Sequence, residues 1–150
     1  MKNMSPKEII EILNELYEDG RHKTIVDSIE ELPKSEWNYD IKIHLARAYN
    51  NTSEYDKALN ILMSEDTKNE KDAYWNYVVG YAYFHKWNYI SALNHFEKSF
   101  SLGRKDVKNY LTWCKQYINN NKIEFKDVIL EWFSENAGID KEKLRNSTFA

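Results

Sequence analysis

Residues 45–60, LARAYNNTSEYDKALN, and residues 79–94, VGYAYFHKWNYISALN, decide how this chain folds. Laid over one another without a gap, they pair Leu45 with Val79, Ala46 with Gly80, Tyr49 with Tyr83, Tyr55 with Tyr89, Ala58 with Ala92, Leu59 with Leu93 and Asn60 with Asn94, every pair at one constant offset. Chance supplies one or two such matches, not a whole register of small and aromatic residues at helical spacing. The small residues let two helices approach closely, and the tyrosines fill the space beside them. Each unit reads as a helical hairpin that cannot bury its own apolar face, so it stacks on a neighbour.

Outward from that core the same periodicity continues. Apolar residues recur at spacings of three and four, β-branched alternation is almost absent, and only two prolines and four glycines interrupt the chain. Ser5-Pro6-Lys7-Glu8 reads as an N-cap, a proline at the first helical position and the reciprocal glutamate of a capping box. The stripe Ile9, Ile12, Leu13, Leu16 predicts a helix to about Tyr17, with Gly20 marking the turn. A second helix, with Ile25, Val26, Ile29 and Leu32 on one face, is expected to end at Pro33. After Gly103, a helix C-terminal glycine, Tyr110, Cys114 and Tyr117 predict one more helix, and Asn119-Asn120-Asn121 a turn. A partner helix with Phe125, Val128, Ile129, Trp132 and Phe133 then closes the array, and a short last helix starts near Asp140.

The pattern resembles the tetratricopeptide repeat family, whose unit carries Trp, Leu, Gly and Tyr on its first helix and Ala, Phe and often Pro later. In the unit from Ala73 to Asp106, Val79-Gly80, Tyr83, Tyr89, Ala92 and Phe96 stand at the family's positions, the tryptophan is displaced to Trp75, and Arg104 replaces the terminal proline. In the unit from Tyr39 to Asp72, Leu45-Ala46, Tyr49, Tyr55, Ala58 and Leu62 match, with no tryptophan. Ile12-Leu13, Leu16, Ile25 and Leu32-Pro33 fit a degenerate first unit at a slightly shorter offset. The resemblance implies an all-α, right-handed superhelix of stacked antiparallel helix hairpins, as a single domain over 1–150. Its parts are a capping repeat at 5–38, repeats at 39–72 and 73–106, a divergent repeat or capping helices at 107–137, and a short helix and tail at 138–150.

Composition narrows the functional classes. A net charge of -3 and a pI near 5.8 give no general attraction to phosphate backbones, so nucleic acid is not the expected partner. Cys114 is the single cysteine, which rules out an intramolecular disulfide and reads as a buried structural thiol. No apolar h-region follows the start, and the longest apolar stretch, Val78 to Phe84, is far short of the roughly 20 residues a membrane helix needs. A cytoplasmic location is the expectation.

Reactive chemistry finds no foothold in the motifs. Glycines at 20, 80, 103 and 138 assemble neither a phosphate loop nor a dinucleotide fingerprint. His22, His44, His85 and His95 show no zinc-binding spacing, and no Gly-x-Ser-x-Gly elbow presents a nucleophile. Acidic clusters such as Glu30-Glu31 read as solvated helix faces. No enzyme, cofactor or metal is expected.

The family's geometry implies instead that the first helix of each hairpin lines a concave groove. The positions that face it are Asp40, Ile43, Arg47, Asn50 and Asn51 in one unit, with His44 beside them, and Tyr74, Tyr77, Tyr81, Phe84 and His85 in the next. The following unit adds Lys108, Leu111, Lys115 and Asn119. A tyrosine stripe between cationic flanks suits a protein or peptide ligand, although Tyr77 fits a core position equally well. Tyr77, Val78 and Tyr81 stand where chaperone-binding members carry their carboxylate clamp, so that specificity is not carried over. Small repeat proteins of this appearance include immunity factors that mask a toxin, which makes a toxin one partner class. The alternatives are a homodimer through end helices exposing Trp132 and Phe133, and single-stranded RNA on stacked tyrosines.

Overall fold

The computed structural model describes residues 1–121 and Gly138, and every regular element among them is helical. The chain runs α1 (Pro6–Glu18), α2 (His22–Glu30), α3 (Tyr39–Asn51), α4 (Tyr55–Leu62), α5 (Ala73–His85) and α6 (Tyr89–Ser101), then helical residues 108–121, called α7, which stay helical through Asn119-Asn120-Asn121 where a turn was expected. Short 3-10 turns at Lys34–Glu36 and Lys105–Val107 precede α3 and α7. The expected helix carrying Phe125, Val128, Ile129, Trp132 and Phe133, and the one from Asp140, lie outside the described residues.

Local chemistry sets the helix starts. The Glu8 amide donates to Ser5 Oγ at 3.3 Å and the Ser5 amide donates to the Glu8 carboxylate at 2.8 Å, so both halves of the capping box are made. α3, α5 and α6 begin on Asn38, Asp72 and Asn88, each accepting a first-turn backbone N–H on its side-chain oxygen. α2 stops at Glu30, short of the expected Pro33, because the ring of Pro33 disfavours helical backbone at Leu32.

The turns repeat as the sequence does. Gly20, Ser53 and Trp87 all adopt left-handed backbone, with φ of 69°, 62° and 63°. The next amide reaches back five residues in each case: Arg21 to the Leu16 carbonyl at 2.8 Å, Glu54 to Tyr49 at 2.8 Å, and Asn88 to Tyr83 at 3.0 Å. This Schellman arrangement satisfies carbonyls that a helix end leaves free. Gly20 is the glycine read from the sequence; Ser53 and Trp87 take the same conformation with a side chain, at a strain cost of about 1–2 kcal/mol each.

Packing follows chain order. α1 lies on α2 and α3, α3 on α4 and α5, and α5 on α4 and α6. The larger core contains Leu13, Ile25, Ile29, Ile41, Leu45, Leu62 and Trp75, all fully buried, and burying each such side chain contributes about 1.5–3 kcal/mol. Trp75 ties one hairpin to the next, its indole N–H donating to the Leu62 carbonyl at 3.0 Å. A smaller cluster of Ala92, Phe96, Val107 and Cys114 continues toward α7, and Tyr77 and Tyr83 pack against both. At Gly80 a Cβ would stand 2.9 Å from the Phe96 ring, so only glycine admits that ring at this distance. Burial pushes the Cys114 thiol up to about 11, which makes it unreactive near neutrality.

Candidate functional site

α5, reading AYWNYVVGYAYFH, is apolar nearly all round, so its faces are told apart by size and hydroxyl content rather than by polarity. Trp75, Val78, Val79 and Ala82 enter the core, while Tyr74, Tyr77 and Tyr81, spaced by three and four, lie half-buried along one side.

Two arginines from other elements interleave with these rings. The Arg47 guanidinium on α3 lies 3.4 Å from the centre of the Tyr17 ring on α1 and donates to the Tyr74 hydroxyl at 2.8 Å. Its other terminal nitrogen stands 3.2 Å from His44 Nδ1. A guanidinium cannot accept, so Nδ1 must, and the His44 ring is neutral with its proton on Nε2. Burial, reinforced by the Arg47 charge, pushes His44 down to about 4. Arg104, on the turn after α6, holds its guanidinium 4.3 Å from the Tyr77 ring centre and 5.1 Å from that of Tyr74. Each such cation-ring contact is worth about 0.5–2 kcal/mol, the higher figure when desolvated.

Tyr110 of α7 extends the run, 6.2 Å from Tyr77 and 6.1 Å from Tyr81 between ring centres. The face therefore reads Tyr17, Arg47, Tyr74, Arg104, Tyr77, Tyr110, Tyr81, drawn from α1, α3, α5, the turn after α6 and α7. Burial raises the hydroxyls of Tyr74, Tyr77, Tyr81 and Tyr110 above their ordinary range, so they act as neutral hydrogen-bonding groups. A cleft of about 30 Å³ opens between Tyr17, Arg47, Tyr77 and Tyr81 and is floored by Asn50 and Val78.

The remaining residues expected at the groove fall in several places. His85 lies tilted against the Tyr81 ring at 4.3 Å between centres and stacks on Tyr55 at 5.5 Å, continuing the face. Phe84 turns toward α7, 5.3 Å from Tyr110 and 6.1 Å from Tyr117. Ile43 is in the core, and Asn50 is buried, its Nδ2 donating to the Val78 carbonyl at 3.1 Å. Asn51 is exposed and donates to the Arg47 carbonyl at 3.1 Å. Asp40, Lys108, Lys115 and Asn119 are exposed, and Leu111 packs in the smaller cluster. The cations that touch the tyrosines are Arg47 and Arg104, not Lys108 or Lys115.

Sequence reasoning did not place Tyr17, Arg104 or Tyr110 on this face. For Tyr17 a signal exists: the groove position of Asn50, carried back by the first unit's shorter offset, lands on it. Tyr110 likewise stands just before Leu111, the residue to which the repeat offset carries Tyr77. Arg104 carries no such signal, since its side chain returns from a turn over the preceding hairpin.

A larger hollow of about 420 Å³ lies between α2 and α4, lined by Glu30, Lys34, Trp37, Tyr49 and Lys57. Within it Tyr49 donates to Glu30 at 2.5 Å, and the Trp37 indole donates to the Ile29 carbonyl at 3.1 Å. Among the described residues no three His, Cys, Asp or Glu side chains gather closely enough to hold a metal ion, and no helix is long and apolar enough to cross a membrane. No family model, curated protein or solved structure matches the chain.

Proposed function

We propose that the chain is a non-enzymatic protein-interaction module, a tetratricopeptide-like right-handed superhelix whose odd-numbered helices line a groove for an extended segment or helix of one protein partner. The arrangement is supported by the left-handed turns at Gly20, Ser53 and Trp87, which recur in step with the sequence repeat, and by hairpins that pack in chain order. The observation that carries the function is the alternation of Tyr17, Arg47, Tyr74, Arg104 and Tyr77 on a half-buried face. Tyrosines offer large amphipathic contact area at little entropic cost. Among the described residues the guanidinium of Arg47 meets a ring, a hydroxyl and an imidazole, none of them acidic, so its charge suits carboxylate or carbonyl oxygens of the partner.

Changing both Tyr74 and Tyr81 to Ala tests this. Affinity for the partner recovered from the native cell is expected to fall by more than about 100-fold, with the helical circular dichroism retained. Undiminished capture contradicts the groove.

A further inference from the structure

Among the described residues the half-buried lysines and arginines are Lys42, Arg47 and Arg104. Lys42 pairs with Asp66 and Arg104 with Asp106, but Arg47 makes no ion pair with any described residue. The acids nearest to it on the face do not serve. Asp72 is spent on the Tyr39 hydroxyl at 2.6 Å and the Tyr74 amide at 2.9 Å, and Asp40 is exposed at the start of α3. A charge drawn partly out of water without a counter-charge is unfavourable, so the fold holds Arg47 in place for an anion it does not itself supply. Two of its N–H groups go to the Tyr74 hydroxyl and to His44, and the rest are unspent among the described residues. The Tyr74 hydroxyl accepts from Arg47 and its own proton has no acceptor there. Burial keeps that hydroxyl protonated, so it adds a second donor beside the guanidinium.

We infer that Arg47 and the Tyr74 hydroxyl form the docking point for an acidic side chain, Asp or Glu, of the bound segment. The inference deepens the groove reading above and rests on it. The carboxylate accepts from the guanidinium and the phenol together, and such charge-assisted bonds are about twice as strong as neutral ones. The Tyr17 ring, 3.4 Å from the guanidinium, covers one of its faces and fixes its plane, which leaves its edge for the carboxylate. Arg104, 5.1 Å from the centre of the Tyr74 ring, adds attraction that Asp106 only partly offsets. A side chain suits the place better than a chain end. Arg47 stands between the rings of Tyr17 and Tyr74, within the run of the face, so a segment bound there continues past it on both sides.

The test titrates the isotope-labelled full chain, at constant ionic strength and near-neutral pH, with N-acetylglutamate N-methylamide, with its neutral glutamine counterpart, and with N-acetylalanine, whose only carboxylate is terminal. The Arg47 Nε–H resonance is expected to saturate with the glutamate probe at a concentration at least about tenfold lower than with the glutamine probe. Arg47→Met, which keeps the stem and removes the charge, is expected to abolish that preference in the backbone amides of α3 and α5. Tyr74→Phe, which removes only the hydroxyl, should weaken the glutamate probe by about threefold or more. Equal response to the glutamate and glutamine probes, or none at Arg47, overturns the inference. Tighter binding of N-acetylalanine overturns it in favour of a chain end. If Arg47→Met fails to fold, the three probes on the unaltered chain decide alone. No probe involves the protein partner, so failure here with the Tyr74 and Tyr81 capture result intact leaves a groove without an acidic contact.

Discussion

The hairpins α3–α4 and α5–α6 share one register and divide their volume differently. The second pairs Gly80 with Phe96, whose ring would meet an added Cβ at 2.9 Å; the first has Ala46 and Leu62 at those places, all four fully buried. A methyl on the small side goes with an aliphatic on the large side, and its removal makes room for a ring. The outward faces diverge further, α3 presenting Asp40, Arg47 and Asn51 where α5 presents Tyr74, Tyr81 and His85. Core positions are tied together by packing, while face positions are free to differ, and so a cation from one hairpin meets the rings of the next.

The largest expected effect separates the two cores. Phe96→Ala should destabilise the chain by about 3–5 kcal/mol in urea unfolding, toward or beyond the upper end of the about 2–5 kcal/mol expected for Leu62→Ala. An equal or smaller loss at Phe96 would mean that its ring is not tightly held. Gly80→Ala should cost about 1–3 kcal/mol by overpacking, and adding Phe96→Leu, which copies the first hairpin's pair, should recover part of that loss. Purely additive behaviour would break the idea that the two positions trade volume.

A smaller effect belongs to α3. The fold holds His44 at about 4, below its free value, so it favours the neutral ring. The stability this contributes is complete above the free imidazole value of about 6.5, declines as pH falls below it, and is exhausted once His44 protonates near 4. Allowing for the partial exposure of the ring, the loss should be about 1–2 kcal/mol. His44→Gln should flatten the fall in thermal midpoint between about pH 7 and about pH 4.5, and an unchanged slope would assign the fall to other groups. Smallest of all, Trp87→Gly should stabilise by about 1 kcal/mol in thermal unfolding, because it relieves the left-handed turn at an exposed position. A destabilised variant would show that the Trp87 ring makes a contact that outweighs the strain.

The helical class, the hairpin register and the turn glycines Gly20 and Gly103 were legible because each rests on local spacing or backbone chemistry. The capping box at Ser5 was legible for the same reason. Trp87 is marked only by the repeat, which carries Gly20 to Ser53 and on to Trp87, since a bulky residue is itself a poor candidate for positive φ. The nearly uniform apolarity of α5 hid which tyrosines face the core, and Tyr77 proves to touch both clusters while still lining the cleft. Arg104 stands at the slot where the resembled repeat keeps proline, and its place over Tyr74 and Tyr77 arises only when the turn folds back.

Site-specific photocrosslinking tests the groove most directly. A benzophenone side chain replacing Tyr81, on the tyrosine face, and another replacing Asn94, exposed on α6, are activated in the native cell and their adducts identified by mass spectrometry. A groove that holds a polypeptide predicts one recurrent protein adduct from position 81 and none from position 94. The same adduct from position 94 alone, or none from position 81, would place the partner elsewhere on the molecule.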